Sequence, residues 1–182
     1  DASTVPGMTV AEMKAAVDER WHEISFDAEW ESSRQRARVD TMIDAIAEYV
    51  ELRRAEGVDV VGVEANFTVK QGVAVLNGQA DRLEQLPDGT VRVVDLKTSK
   101  NLPSQTGMGD HAQLKAYQFA LVSGGFTELG LTDETSSAGA VLLYPAKATA
   151  SAGYSLRAQA AFVDPAEIAE FAEKIRANPR NY

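Results

Sequence analysis

The 182-residue sequence contains no cysteine, which excludes a disulfide framework and a thiolate metal site within these residues. It has no apolar run long enough to cross a bilayer and no signal-peptide pattern. We therefore expect a cytoplasmic protein without a membrane partner. The sequence also shows no internal repeat and no low-complexity segment.

Basic residues are few: 18 Lys and Arg stand against 27 Asp and Glu, which gives a formal net charge of −9. A free-standing nucleic-acid binder usually carries a basic surplus, so this balance counts against one. The objection weakens if other domains deliver the nucleic acid, or if a metal site needs carboxylates locally.

Both ends of the sequence look like cuts in a longer protein. The chain begins at Asp1 with small and polar residues, and it stops at Tyr182 just past a predicted helix. We expect a fragment of a larger polypeptide that forms one domain. Within it, a helical segment at residues 1–57 should pack on a core at residues 58–182.

Helical periodicity predicts two helices in the first third of the chain. Thr9 and Glu12 have the spacing of a capping box, and a helix is predicted from about Val10 to about Glu23. A longer helix is predicted from Ala28 to Ala55, with Gly57 as a natural stop. The apolar stripes of these helices are Val10, Met13, Val17 and Trp21, then Val39, Ile43, Ile46 and Val50.

From residue 58 the pattern indicates strands. A first strand is predicted from Val58 to Val69, and Gln71-Gly72 reads as a turn. A second strand follows from Val73 to Leu86. Pro87-Asp88-Gly89 has the chemistry of a hairpin turn, and Val91 to Leu96 is apolar enough to be a central strand.

Helices and strands alternate in the rest of the chain. After a loop from Thr98 to Gly109, Asp110 can cap a helix that reaches about Val122. Strands are predicted from Ala138 to Tyr144 and, at an edge, from Tyr154 to Phe162. A last helix has Pro165 at its first position. Its predicted buried face consists of Ile168, Phe171 and Ile175. This order predicts an α/β (α+β) fold, a mixed β-sheet flanked by helices.

Two carboxylates fall on neighbouring predicted strands. Asp81 lies in the second strand and Asp95 ends the third, and the hairpin makes these strands antiparallel neighbours. Together they can bind Mg²⁺ or Mn²⁺, which prefer oxygen ligands, and the carbonyl of Leu96 could add a ligand. Taken alone, an Asp near a strand end is more often a turn or solvated residue. Asp95 follows apolar residues, so we expect it to be partly buried and to need a partner or a metal.

Lys97 lies two residues after Asp95, and strand periodicity places both side chains on one face. An ammonium beside a metal-bound water can orient that water and offset the charge of a phosphoryl transition state. An Asp-x-Lys pair alone is common on amphipathic strands, so its function depends on its neighbours.

Gln113 and Tyr117 are four residues apart and project from one face of the predicted helix. They could bind a DNA phosphate or base, or steady the site. Two alternatives stay open: Gln113 could complete a capping box with Asp110, and Tyr117 could be a core residue.

Taken together, these segments resemble the RecB-like branch of the PD-(D/E)XK nuclease superfamily, over roughly residues 63–143. The family pattern is Gly-x-x-Asp-Arg, then Asp-x-Lys after a hairpin, then Gln-x-x-x-Tyr on the next helix. The matching segments are Gly78-Gln79-Ala80-Asp81-Arg82, Asp95-Leu96-Lys97 and Gln113-Leu114-Lys115-Ala116-Tyr117. The sequence looks most similar to the C-terminal nuclease domain of bacterial UvrD-type helicase–nucleases, which resect double-strand breaks.

The resemblance implies a restriction-endonuclease-like core at residues 58–182 and an Mg²⁺- or Mn²⁺-dependent deoxyribonuclease. It implies that Asp81 and Asp95 bind the metal and that Lys97 assists the attacking water. Gln113 and Tyr117 would support the site or the DNA. A further strand residue, Glu64, matches a frequent acidic position of the family, although a solvated Glu explains it equally well. The implied partners are DNA, helicase domains of the same polypeptide and a second helicase–nuclease subunit.

Two features depart from the family pattern. Relatives usually have a metal-binding His in a Gly-x-x-x-His context, and neither His22 nor His111 has this context. Many relatives also bind an iron–sulfur cluster through Cys residues, which this sequence lacks. These groups are absent or lie outside the fragment. We expect surface or packing roles for His22 and a solvent-exposed His111.

Three arginines, Arg34, Arg36 and Arg38, lie on the early turns of the second predicted helix. A solvated face explains them better than a contact with DNA does.

Three functions are compatible with the sequence. The favoured one is a metal-dependent exonuclease domain that cuts DNA as it leaves a helicase motor. An alternative is a nuclease fold kept as an inactive structural or DNA-guiding module, although Asp81, Asp95 and Lys97 are all present. A binder of small anions is disfavoured, because Gly107-Met108-Gly109 lacks the strand–turn–helix context of a phosphate loop.

Overall fold

The computed structural model describes residues 9–177. The two segments interpreted as cut ends, residues 1–7 and 178–182, fall outside this range. The four helices are α1 Val10–Trp21, α2 Glu29–Ala55, α3 Ala112–Val122 and α4 Pro165–Ala177. The five strands are β1 Asp59–Gln71, β2 Ala74–Gln85, β3 Val91–Leu96, β4 Ser137–Tyr144 and β5 Ser155–Gln159.

The five strands form one mixed sheet in the order β1-β2-β3-β4-β5. β3 and β4 are parallel and all other neighbours are antiparallel. A parallel pair requires a crossover, and the segment that contains α3 supplies it between β3 and β4. The predicted fold class, a mixed sheet flanked by helices, is confirmed.

Helices cover the two faces of the sheet unequally. One face packs against α3 and α4 in the larger core, which includes Phe67, Leu83, Phe119 and Ile175. Among the described residues, α2 is the helix that packs on the other face, in a smaller core that joins Tyr49 to residues of β3 and β4. Because α2 covers only this part of the sheet, the outer half of β1 and β2 has one bare face.

α1 packs on α2 rather than on the sheet. The predicted capping box is present: Thr9 Oγ1 accepts from the Glu12 amide, and the Thr9 amide donates to the Glu12 carboxylate at 2.7 Å. The predicted apolar stripe of α1 faces inwards: Met13 is buried, and Val10, Val17 and Trp21 are half-buried. Part of the α1–α2 contact is polar, because Arg36 of α2 bonds Asp18 of α1 at 2.8 Å.

The β2–β3 hairpin forms as predicted. The Gly89 amide donates to the Leu86 carbonyl and the Leu86 amide to the Thr90 carbonyl, both at 2.9 Å. Asp88 accepts from Thr90, which fixes the turn. The strands pair from Gln85 opposite Val91 as far as Arg82 opposite Val94. Beyond that rung β2 continues with β1 alone, so β2 and β3 part and leave a notch.

The start of α3 differs from the prediction. Residues Gln105–Asp110 form a short 3-10 helix, and His111 rather than Asp110 caps α3, accepting from the Leu114 amide through Nδ1 at 3.4 Å. The expected solvent-exposed role of His111 is therefore wrong. The last helix begins at Pro165 as predicted and buries Phe171 and Ile175. Within residues 9–177, no helix combines the length and hydrophobicity that a membrane crossing requires.

Candidate active site

The candidate site lies in the notch where β2 and β3 part. Extending the register by one rung would set Asp81 opposite Asp95, but the ladder stops before it. The Leu96 amide faces the notch without a strand partner, and Asp81 Oδ2 accepts from it at 2.7 Å. The next amide, of Lys97, bonds the Leu143 carbonyl on β4 at 2.8 Å. The Asp81 side chain thus occupies the place of the missing strand partner.

Asp81 is half-buried in an unfavourable setting for a carboxylate. It borders an apolar pocket whose walls include Ile46 and Val50 of α2. Burial is the main reason that its pKa is raised, and the charges of Asp95 and Glu64 raise it further. The Leu96 amide and the Lys97 ammonium oppose this rise. Asp81 therefore lies within electrostatic reach of two other carboxylates and one ammonium.

Asp95 and Lys97 face the same side of β3, as strand periodicity predicts. The Asp95 carboxylate is buried at the edge of the larger core. Lys97 Nζ lies 2.7 Å from Asp95 Oδ2. The angles of this ion pair fall outside hydrogen-bond geometry, so the buried Oδ2 has no directed donor. Its electrostatic partner is the Lys97 ammonium.

Gln113 and Tyr117 of α3 hold this pair in place. Asp95 Oδ1 accepts from Gln113 Nε2 at 2.9 Å and from the Tyr117 hydroxyl at 3.2 Å. Gln113 also accepts from Lys97 Nζ at 3.0 Å through Oε1. Burial raises the pKa of Tyr117 to about 12, and the Asp95 charge adds to the rise, so the hydroxyl stays a donor at neutral pH. The capping-box alternative for Gln113 is wrong, because Asp110 does not cap α3.

Glu64 faces Asp81 from β1. Its neighbours pair as Val63 with Arg82 and Ala65 with Ala80, which places Glu64 opposite Asp81. Like charges directly opposite each other destabilise a sheet. Glu64 also has a φ of 45°, and within residues 9–177 it alone among non-glycine residues has a positive φ. Such strain costs about 1–3 kcal/mol and is typical of functional positions.

The donor set fits a hard divalent cation. Within residues 9–177, no three acidic or histidine side chains converge closely enough to enclose a metal by themselves. Mg²⁺ does not require this, because it keeps several waters and is usually held by one or two carboxylates. Asp81 and Asp95 supply two carboxylates, although Oδ2 of Asp95 is already ion-paired with Lys97. The Leu96 carbonyl remains a predicted third ligand.

The sequence did not predict the contacts that Arg36 and Arg38 of α2 make. Arg38 donates to the Thr98 carbonyl at 2.7 Å, which ties α2 to the end of β3, and Arg36 is bonded to α1. The solvated-face interpretation is therefore wrong for both, although Arg34 is exposed and lies against Trp30. His22 is exposed at the end of α1.

Comparison with known proteins gives one family. The sequence matches the PD-(D/E)XK nuclease superfamily over residues 3–180. No curated protein matches the sequence. Among solved structures, the crystal structure of SSO0001 is similar, with 15% identity over 92% of this chain and 84% of that chain. Its TM-score of 0.29 is too low to carry an argument about the site.

Proposed function

Because the chain belongs to the PD-(D/E)XK nuclease superfamily, we propose that it is a metal-dependent deoxyribonuclease domain in which Asp81, Asp95 and Lys97 cut phosphodiester bonds. One observation carries the proposal. The Lys97 ammonium lies 2.7 Å from the buried Asp95 carboxylate, and both are within electrostatic reach of Asp81 in the strand notch. Metal-dependent phosphodiester hydrolysis needs carboxylates that bind the metal and a nearby cationic group, and these three residues supply them.

The proposed ligands are the Asp81 and Asp95 carboxylates and the Leu96 carbonyl. A bound Mg²⁺ or Mn²⁺ would supply Lewis acidity to a phosphate oxygen and lower the pKa of a coordinated water. Without a cation, the ionised Asp81 and Asp95 carboxylates would repel the phosphodiester. The cation requirement of the reaction follows from this local excess of negative charge.

Lys97 has a role that does not depend on binding the cation. Its ammonium can donate to the attacking water or to a phosphate oxygen and offset the charge that develops in the transition state. Gln113 accepts from that ammonium and donates to Asp95. This bridge fixes the distance between the two groups, and Tyr117 donates to the same Asp95 oxygen as Gln113.

We further propose that this domain acts as an exonuclease in double-strand-break resection and recombinational repair. Support comes from the order of the three motifs at Asp81, Asp95 and Gln113, which is that of the nuclease domains of helicase–nucleases. The net charge of −9 supports delivery of DNA by other modules, namely helicase domains of the same polypeptide and a partner subunit. A cytoplasmic location belongs to this proposal.

The proposal is tested by incubating the chain with single-stranded and duplex DNA and Mn²⁺ or Mg²⁺. Cleavage by the native chain, and its loss in both Asp95→Ala and Lys97→Ala, would support the site. Retained cleavage in both variants would rule the site out. Absence of Mn²⁺ binding by calorimetry would instead favour an inactive module that guides DNA.

A further inference from the structure

Arg157 of β5 is a positively charged side chain without a carboxylate partner among residues 9–177. Its Nε donates to the Pro103 carbonyl and its Nη1 to the Leu156 carbonyl, both at 2.8 Å. These two backbone carbonyls fix the orientation of the half-buried guanidinium. Its second terminal nitrogen, Nη2, has no acceptor in the same range of residues. A guanidinium matches the geometry of phosphate and carboxylate groups, so Arg157 can bind an anionic ligand.

The Arg157 side chain lies on the same face of the sheet as Asp95. Leu142 of β4 pairs with Asp95 on one side and with Arg157 on the other. Residues directly opposite each other on neighbouring strands project to one face, so the three side chains form a row across β3, β4 and β5. That face is the one that α3 covers, because Leu142 belongs to the larger core. With strands about 4.8 Å apart, the Arg157 and Asp95 Cα atoms are about 10 Å apart.

Tyr144 of β4 lies near both the catalytic ammonium and this guanidinium. It belongs to the larger core, so its side chain projects to the same face. The Lys97 amide donates to the Leu143 carbonyl at 2.8 Å, which sets Lys97 beside Tyr144 where the parallel strands end. Burial is the main reason that the pKa of the Tyr144 hydroxyl is raised, and Lys97, Asp95 and Arg157 are the charges that act on it.

The Tyr144 hydroxyl has no hydrogen-bond partner in the described part of the chain, although the residue is only 4% exposed. A buried tyrosine hydroxyl usually has such a partner. The oxygen itself reaches solvent, since it is not among the fully enclosed polar atoms that lack a partner. It can therefore donate to an oxygen of a ligand that enters beside Lys97.

The two segments that form this side of the site carry no negative charge. Residues 96–109 and 135–163 contain no Asp or Glu, although acidic residues outnumber basic ones by 27 to 18 in the whole chain. The cations in these segments are Lys97, Lys100, Lys147 and Arg157. Asp81 and Glu64 lie on the other side of β3, on β2 and β1. A polyanion that extends from the site is therefore attracted towards β4 and β5.

We propose that Tyr144 and Arg157 form a second phosphate-binding position, which holds the phosphate next to the scissile one in a single nucleic-acid strand. The inference rests on the proposed nuclease function. Because Arg157 stands two strands away from Asp95, it binds a neighbouring phosphate rather than the one that Lys97 contacts. Nη2 of Arg157 and the Tyr144 hydroxyl donate to its oxygens. The position favours a chain of nucleotides over a substrate with a single phosphodiester.

Three variants isolate this position. Arg157→Gln removes the charge, and Tyr144→Phe removes only a hydroxyl that has no protein partner, so its urea unfolding should match that of the native chain. Lys70→Gln is the control, because it removes one positive charge from an exposed side chain on the face of β1 opposite the larger core.

Binding to the 182-residue chain is measured by anisotropy with Ca²⁺ as the cation and two fluorescent oligodeoxythymidylates. One probe has phosphodiesters throughout, and the other has a single central phosphodiester among neutral methylphosphonates. Arg157→Gln should raise Kd for the charged probe about tenfold, the effect of losing a charge-assisted hydrogen bond, and Tyr144→Phe about threefold to fivefold. Arg157→Gln should change Kd for the other probe by less than about twofold, because that probe has no neighbouring charge. Lys70→Gln should have a similarly small effect on both.

An equal effect of Arg157→Gln on the two probes would indicate a structural role through Pro103 and would overturn the position. The position would also be wrong if Lys70→Gln matched Arg157→Gln, or if the native chain did not bind the charged probe. Cleavage with Mn²⁺ separates this inference from the nuclease function. Cleavage of a long strand by Arg157→Gln with the native KM would overturn the position and leave the function. The expected binding pattern without any cleavage by the native chain would overturn the function and leave the position.

Discussion

The Asp81 carboxylate accepts a 2.7 Å hydrogen bond from the backbone amide of Leu96, in the position that a neighbouring strand would otherwise fill. The side chain reaches this amide because the β2–β3 ladder ends before this point. The same contact holds the carboxylate beside the residue pair Asp95 and Lys97. A local end of strand pairing thereby creates both the notch and its first acidic side chain.

This relationship predicts that Asp81 reduces stability in the metal-free protein. Its pKa is raised in the folded state, mainly by burial, so the folded chain releases the proton at a higher pH than the unfolded chain does. The free energy of unfolding should fall as pH rises through this window. Asp81→Asn keeps an oxygen for the Leu96 amide, so it should be more stable than the native chain above that pH and equally stable below it. Urea unfolding across pH measures the difference.

Asp88 is a control residue, because its effect on the free energy of unfolding should change with pH in the opposite direction. Hydrogen bonds from Thr90 lower its pKa, so its charge is favoured in the folded state. Asp88→Asn should therefore lose stability above the ordinary pKa of Asp, and the loss should disappear at lower pH. If Asp81→Asn behaved like Asp88→Asn, the unfavourable setting inferred for Asp81 would be wrong.

Loss of Asp95 or Lys97 should abolish cleavage. Asp95→Asn or Lys97→Ala should lower the rate of DNA cleavage by at least about 100-fold, the usual effect of removing a positioned catalytic group. The exposed Lys100 lies three residues further along and is a matched control. A Lys100→Ala variant as impaired as Lys97→Ala would indicate general electrostatic attraction of DNA rather than a placed ammonium.

Tyr117 should contribute less than Gln113, because Tyr117 bonds Asp95 whereas Gln113 bonds both Asp95 and Lys97. Tyr117→Phe removes the hydrogen bond that the hydroxyl donates to Asp95 and the one that it accepts from Gln113. The loss at Asp95, about 1 kcal/mol, should slow cleavage by about fivefold to tenfold. Gln113→Ala should slow it more and shift the pH profile, since both groups lose their link. Rates measured across pH give the comparison, and a larger loss in Tyr117→Phe would contradict this order.

The buried Glu84 should be the main polar contributor to stability on the α2 side of the sheet. It is fully buried and accepts from Arg82, Arg92 and Tyr49 at 2.8, 2.8 and 3.0 Å. Glu84→Gln replaces the carboxylate that faces two guanidinium groups by a neutral amide and should cost about 3–5 kcal/mol. Tyr49→Phe, which removes one donor, should cost about 1 kcal/mol in the same unfolding experiment. Equal losses would argue against a charge network.

The sequence was sufficient for most of the fold, because local patterns determine it. Period-two alternation and the Pro87-Asp88-Gly89 turn predicted β2, β3 and their pairing within one or two residues. The start of a helix was harder to predict where two neighbouring residues can both act as its N-cap. Asp110 and His111 are both able to cap α3, and the 3-10 helix before it places His111 in the capping position.

The site was predictable where side chains follow strand or helix periodicity, as for Asp95 with Lys97 and Gln113 with Tyr117. Contacts between elements that are far apart in the sequence could not be predicted. Nothing in the pattern of α2 indicates that Arg38 reaches the Thr98 carbonyl, 60 residues away. The positive φ of Glu64 likewise has no local sequence signal.

The central claim, that Asp81 and Asp95 share one divalent cation beside Lys97, is tested most directly by anomalous scattering from a crystal of the chain with Mn²⁺. The account predicts one strong peak in the notch, at about 2.0–2.6 Å from oxygens of both carboxylates. The Leu96 carbonyl should complete the protein ligands. A peak bound by other residues, or a notch without a peak at saturating Mn²⁺, would contradict the account.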